Sequence, residues 1–168
     1  KFIENPAYNE ANNISSAMCA RYYFGNSYIC EADLIIHNPK MISKYQYHSN
    51  YCGVKCDRTD DWCLYASKGR ITGVSVGGTD GYRMVGISYW TEEDGRKLAD
   101  CIQKVYEMPG GKEKYWDNVP PVNYTHLRAH ETPEHLECRL LLEKKNKTCI
   151  SHSRSTKKTT LIINKSIL

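Results

Sequence analysis

The chain has 168 residues, 40% of them hydrophobic, with 23 Lys or Arg against 19 Asp or Glu. No stretch approaches the roughly 18 apolar residues that a membrane-spanning helix requires. The positive surplus sits at one end: residues 1–120 hold 14 basic and 15 acidic side chains, and residues 121–168 hold 9 and 4. A basic surface extending over the whole chain, of the kind that grips nucleic acid, is thereby excluded.

Asn5-Pro6 opens a predicted helix, with Asn as cap and Pro at the first helical position. Ala11, Ile14 and Met18 follow at helical spacing, and Gly25 offers a stop. Leu34-Ile35-Ile36 reads as a short buried strand ended by Asn38-Pro39. Residues 41–64 are rich in Cys and Tyr without periodicity and are expected to form loops. Stretches 70–76 and 82–90 are β-prone, and the glycines between Gly77 and Gly81 predict a hairpin turn joining them. Thr91 caps a second predicted helix whose first turn, Glu92-Glu93-Asp94, suits its positive end. Leu98, Cys101, Ile102, Val105 and Tyr106 form its apolar stripe, and Pro109-Gly110-Gly111 ends it. The expected fold class is α+β: a small disulfide-rich domain with an N-terminal helix, cysteine-rich loops, a β-hairpin and a second helix.

Cys19, Cys30, Cys52, Cys56, Cys63 and Cys101 give an even count in a small domain, which reads as an extracellular disulfide framework whose pairing the sequence does not select. The chain starts at Lys1 rather than Met, as a processed secreted protein would. Asn13-Ile14-Ser15 is an N-glycosylation acceptor.

Residues 121–145 resemble an in-frame translation of a sequencing-library adapter. Thr125–Thr132 reads Thr-His-Leu-Arg-Ala-His-Glu-Thr, and Leu136–Lys145 matches the adapter's second half, with Glu137 in place of Val. Asn123 is the other departure, in place of Ser. The resemblance implies that an assembly artefact begins there, so that 1–120 is the secreted domain and 121–168 an artefactual, disordered basic tail. No protein family is recognised for residues 1–120. The adapter also accounts for His126, His130, Glu131, Glu134 and His135, which otherwise approach a zinc-hydrolase pattern with the wrong register and an intervening Pro133.

Cys56 to Cys63 encloses Asp57, Asp60 and Asp61, but lacks the repeating acidic loop of a calcium site. His37 and His48 have no nucleophile elbow or free thiol to serve, so no catalytic residue, metal or cofactor is expected. Tyr and Trp are abundant while Phe occurs only twice, which suits a protein-binding surface. Tyr45, Tyr47, Tyr51, Arg58 and Trp62 are the expected binding residues. The function so implied is a secreted binding protein, of a venom or salivary effector type, engaging an extracellular protein of a host or prey, with no nucleic-acid partner. The alternatives are a secreted enzyme or truncated enzyme fragment, and a proteinase inhibitor presenting a basic loop near Lys55 or Arg58.

Overall fold

The computed structural model describes residues 1–119 and the strands at 128–131, 138–140 and 160–164. Helix α1 is Ile14–Ala20. It is followed by strands β1 (Ser27–Glu31), β2 (Leu34–Ile36), β3 (Asn50–Ser67) and β4 (Arg70–Trp90). Helix α2 is Glu92–Glu107, and β5 (Arg128–Glu131), β6 (Cys138–Leu140) and β7 (Thr160–Asn164) follow. Among the described residues, no helix is long and apolar enough to cross a membrane.

Strands β3 and β4 form the frame. They pair antiparallel from Ser67↔Arg70 to Asn50↔Tyr89, with several register shifts that bend both strands. Because of the bend, Tyr82 and Arg83 of β4 face Lys55 and Val54 of β3 in one part of the ladder and Leu64 and Cys63 in another. β1 runs antiparallel to the far end of β4, Ser27 opposite Trp90 and Cys30 opposite Ile87. β5 lies parallel to the start of β3 and meets β4 at Arg70, while β7 flanks β1. A second, two-stranded sheet joins β2 to β6.

Two apolar clusters hold these layers. One joins Ile14, Ala17 and Phe24 to Ile29, Tyr51, Leu64, Ile71, Trp90, Leu98, Ile102, Trp116 and Val119. It lies under α1 and α2, and Trp90 meets Trp116 edge-on at 6.5 Å. The other holds Tyr28, Cys30, Met41, Cys52, Ile87 and Tyr89. Each fully buried large side chain contributes about 1.5–3 kcal/mol relative to exposure.

The structure departs from the expected disulfide-rich fold at four points. First, none of Cys19, Cys30, Cys52, Cys56, Cys63 and Cys101 is joined in a disulfide. Cys30, Cys52 and Cys63 are buried and pack as small apolar groups, a common role for reduced Cys. Second, the segment expected to be cysteine-braced loops is mostly β3. Third, the β-hairpin turns at Lys68-Gly69, with φ of 51° and 74°, the left-handed pair that a tight hairpin needs. Gly77–Gly81 instead lies within β4, where positive φ at Gly77 and Asp80 bends the strand. Fourth, the first helix starts at Ile14 rather than near Asn5. Asn5 spends its carboxamide on Ser15 Oγ, Ser16 Oγ and the Ala7 N–H, and the Asn12 N–H is tied to the Lys112 carbonyl at 2.8 Å. The second helix falls where its cap and stripe predict it, with Thr91 Oγ1 accepting from the Asp94 N–H.

Candidate active site

Ser27 to Cys30 of β1 are buried, so this strand sits inside the sheet. Its carboxyl end delivers Glu31, and the short turn into β2 adds Asp33 two residues on. Backbone geometry makes room for Glu31. Gly86 of β4 has φ of +68° and lies directly beside Glu31, where a Cβ would come within 2.6 Å of the Glu31 Cδ. Only glycine satisfies both demands without strain.

Asp33 supplies the chemical signal. Its Oδ1 is buried and has no hydrogen-bond partner among the described residues. A carboxylate oxygen withdrawn from water without a donor or cation is costly, so the arrangement calls for one or the other. Among the described residues no three His, Cys, Asp or Glu side chains converge as a ready metal centre. Two hard carboxylates are instead what Mg²⁺ uses when substrate phosphates and water complete its shell.

A second apolar cluster lies on the opposite face of β1 from Glu31, because side chains alternate along the strand and Glu31 shares the face of Ile29. Tyr28 donates its hydroxyl proton to the Ser43 carbonyl and accepts from the Ser43 N–H, both at 3.0 Å. Tyr89 stacks obliquely on Tyr28 with ring centroids 5.1 Å apart. Burial pushes the pKa of both phenols up from 10.0.

The expected binding residues do not form one surface. Tyr45 and Tyr47 are exposed on the segment before β3, and Tyr51 is buried in the main core. Arg58 makes an exposed pair with Asp60 at 3.8 Å, a contact of little energetic weight. Trp62 is half-buried on β3 opposite Val76, and Asp61 turns its carboxylate to the Trp62 N–H at 2.8 Å. Asn13, the expected glycan acceptor, is 4% exposed, and its carboxamide oxygen accepts from the Trp116 N–H at 2.9 Å. His37 and His48 are exposed. The adapter-like segment, with its cluster from His126 to His135, lies outside the described residues except for the strand backbone and Ala129. Glu31 and Asp33 went unread in the sequence, although paired carboxylates directly after the β-prone run Tyr28-Ile29-Cys30 were the available signal.

The fold is that of a Rossmann-like cytidylyltransferase. A solved CTP:phosphocholine cytidylyltransferase from Streptococcus pneumoniae superposes with a TM-score of 0.69 over 80% of this chain and 60% of that one, at 23% identity. In sequence, the chain is 36% identical over 121 residues to a 2-aminoethylphosphonate cytidylyltransferase of Lancefieldella rimae, covering 70% of this chain and 49% of the relative. It is 23% identical over 121 residues to a choline-phosphate cytidylyltransferase of Haemophilus influenzae, covering 70% of the chain and 52% of that protein. No family model matches. The chain thus spans about half the length of these curated relatives.

These likenesses overturn several expectations. Residues 1–120 are not without recognisable relatives, and a chain read as little more than an orphan domain joined to an adapter has an evident enzyme kinship. The secreted, extracellular toxin or salivary binding protein falls with it, as does the extracellular protein partner, because the relatives are named for transfer to small molecules. Of the earlier alternatives, the enzyme fragment agrees best.

Proposed function

We propose that this chain is part of a cytidylyltransferase that transfers CMP from CTP to a small amine bearing a phosphate or phosphonate. The observation that carries the reading is the acidic end of β1, Glu31 over Gly86 and Asp33 with an unpartnered oxygen, set in a cytidylyltransferase fold. The kinship with 2-aminoethylphosphonate and choline-phosphate enzymes supports the choice of acceptor.

In such a transfer an acceptor oxygen attacks the α-phosphorus of CTP. A new P–O–P linkage forms as the α–β bond breaks, and pyrophosphate leaves. The reaction asks the protein for positioning and for relief of negative charge. Glu31 and Asp33 are the residues that would hold a divalent cation, in contrast to the sequence expectation of no metal. When bound, that cation neutralises charge on the phosphate oxygens. For the acceptor's ammonium group, Trp62 beside Asp60 and Asp61 offers an aromatic face with carboxylates at hand, the chemistry that binds such cations. Tyr45 stays accessible to substrate, whereas Tyr47 and Arg58 take no part in the transfer and Tyr51 is buried in the core.

The test is pyrophosphate release from CTP and Mg²⁺ with 2-aminoethylphosphonate or phosphocholine as acceptor, paired with calorimetric titration of each acceptor. Release should depend on the acceptor and fall about 100-fold or more in Asp33→Asn, in line with loss of one charge-stabilising group. Trp62→Ala should chiefly raise the KM for the amine. If the chain neither binds either acceptor nor releases pyrophosphate, the reading is wrong.

A further inference from the structure

A groove of about 620 Å³ opens where the β3–β4 turn meets the segment leading into β3. It is lined by Gln46, Tyr47, His48, Asn50, the turn residues Lys68 to Arg70, and Ala129 of β5. It shares no residue with the acidic end of β1. Among the described lining residues Lys68 and Arg70 are basic and none is a carboxylate. Neither Lys68 nor Arg70 belongs to any ion pair found among the described residues.

Asn50 gives the groove a second, independent feature. It is 5% exposed, and its Nδ2 donates to Gln46 Oε1 at 3.2 Å and to the His48 carbonyl at 3.1 Å. These two bonds fix the carboxamide, leaving Oδ1 buried and without a partner. The backbone of the turn is equally fixed, since Lys68 and Gly69 both hold the left-handed conformation of a tight hairpin and the Gly69 carbonyl accepts from the Ala129 N–H at 3.2 Å. The groove therefore presents a positive mouth and a preset acceptor. An anion alone would satisfy the first and leave the second unmet.

We propose that this groove binds a small phosphomonoester that also carries a hydroxyl or amine donor. The phosphate lies against Lys68 and Arg70, and the donor reaches Asn50 Oδ1. Charge-assisted bonds to the phosphate supply most of the affinity, and the Asn50 contact selects phosphates that carry a donor over those that do not. The site is separate from the transfer chemistry and stands whether or not that reading holds.

The experiment is an amide-resolved NMR titration of the full chain with glycerol 3-phosphate, repeated with inorganic phosphate. Saturable shifts are expected at residues 46–50 and 68–70, with tighter binding of glycerol 3-phosphate than of inorganic phosphate. The double variant Lys68→Asn, Arg70→Gln should weaken binding about tenfold or more. Asn tolerates the left-handed position, so the turn is kept. Arg58→Gln, a cation elsewhere on β3, should change nothing. Shifts that stay linear, equal affinity for the two phosphates, or equal weakening by Arg58→Gln would each overturn the proposal.

Discussion

At the scale of single residues, side chains with fixed hydrogen-bond partners decide more than the exposed aromatics do. Tyr28 closes a two-way hydrogen bond with the Ser43 backbone inside an apolar cluster. Tyr28→Phe should leave that N–H and carbonyl unmet and cost about 1–3 kcal/mol in denaturant unfolding. The same residue sets a pH response. Its folded pKa is raised by burial, so its contribution is fully present below the unfolded value near pH 10.0 and is lost as pH rises through the folded value. Stability of the wild type should therefore drop on the alkaline side of pH 10, and the Phe variant should drop less steeply. Asn13 looked like a glycan acceptor because a three-residue motif carries no information about burial. Its carboxamide in fact ties α1 to the turn at Trp116, and Asn13→Ala should lower stability by about 1–2 kcal/mol.

At the scale of elements, legibility followed how local the signal was. Helix α2 was written in its cap, its acidic first turn and its stripe, all within one segment. β2 was visible as an apolar run with a Pro stop. β3 was not, because its buried positions are filled by Cys52, Cys63, Tyr51 and Leu64, and cysteine density suggested disulfides instead of packing. The hairpin turn was placed ten residues too late for a related reason: five turn-forming residues at 77–81 outweigh one Lys-Gly step in composition, while the bend they make lies inside β4. Gly69 has open space around it, so the cost of Gly69→Ala would come from its φ of +74° alone, roughly 1 kcal/mol. A thermal melt would measure it directly. The acidic end of β1 was invisible for lack of β1 itself; once that strand is in place, Glu31 and Asp33 stand out.

At the scale of the whole molecule, the described fully buried members of both apolar clusters come from residues up to Val119. Among the described side chains Ala129 is the contributor from beyond that point, and it is only partly buried. We therefore expect a 1–120 chain to unfold cooperatively with its midpoint lowered by only a few degrees, losing the flanking strands β5 and β7. Loss of a cooperative transition in calorimetry would show instead that these strands complete the fold. The unbridged cysteines add a second expectation at this scale. Reductant should not move the melting midpoint, since no disulfide among the described residues remains to be broken.

The long ladder between β3 and β4 also has a consequence in time. Its two strands are consecutive in the chain and joined by a tight turn, so the hairpin can zip from Lys68-Gly69 outward with little loop to close. β1 must wait for the distant end of β4 before it has an edge to join. Contacts separated so widely along the chain slow folding. The acidic pair at the end of β1 would accordingly be assembled after the hairpin, making the candidate active site a product of folding on a frame already formed.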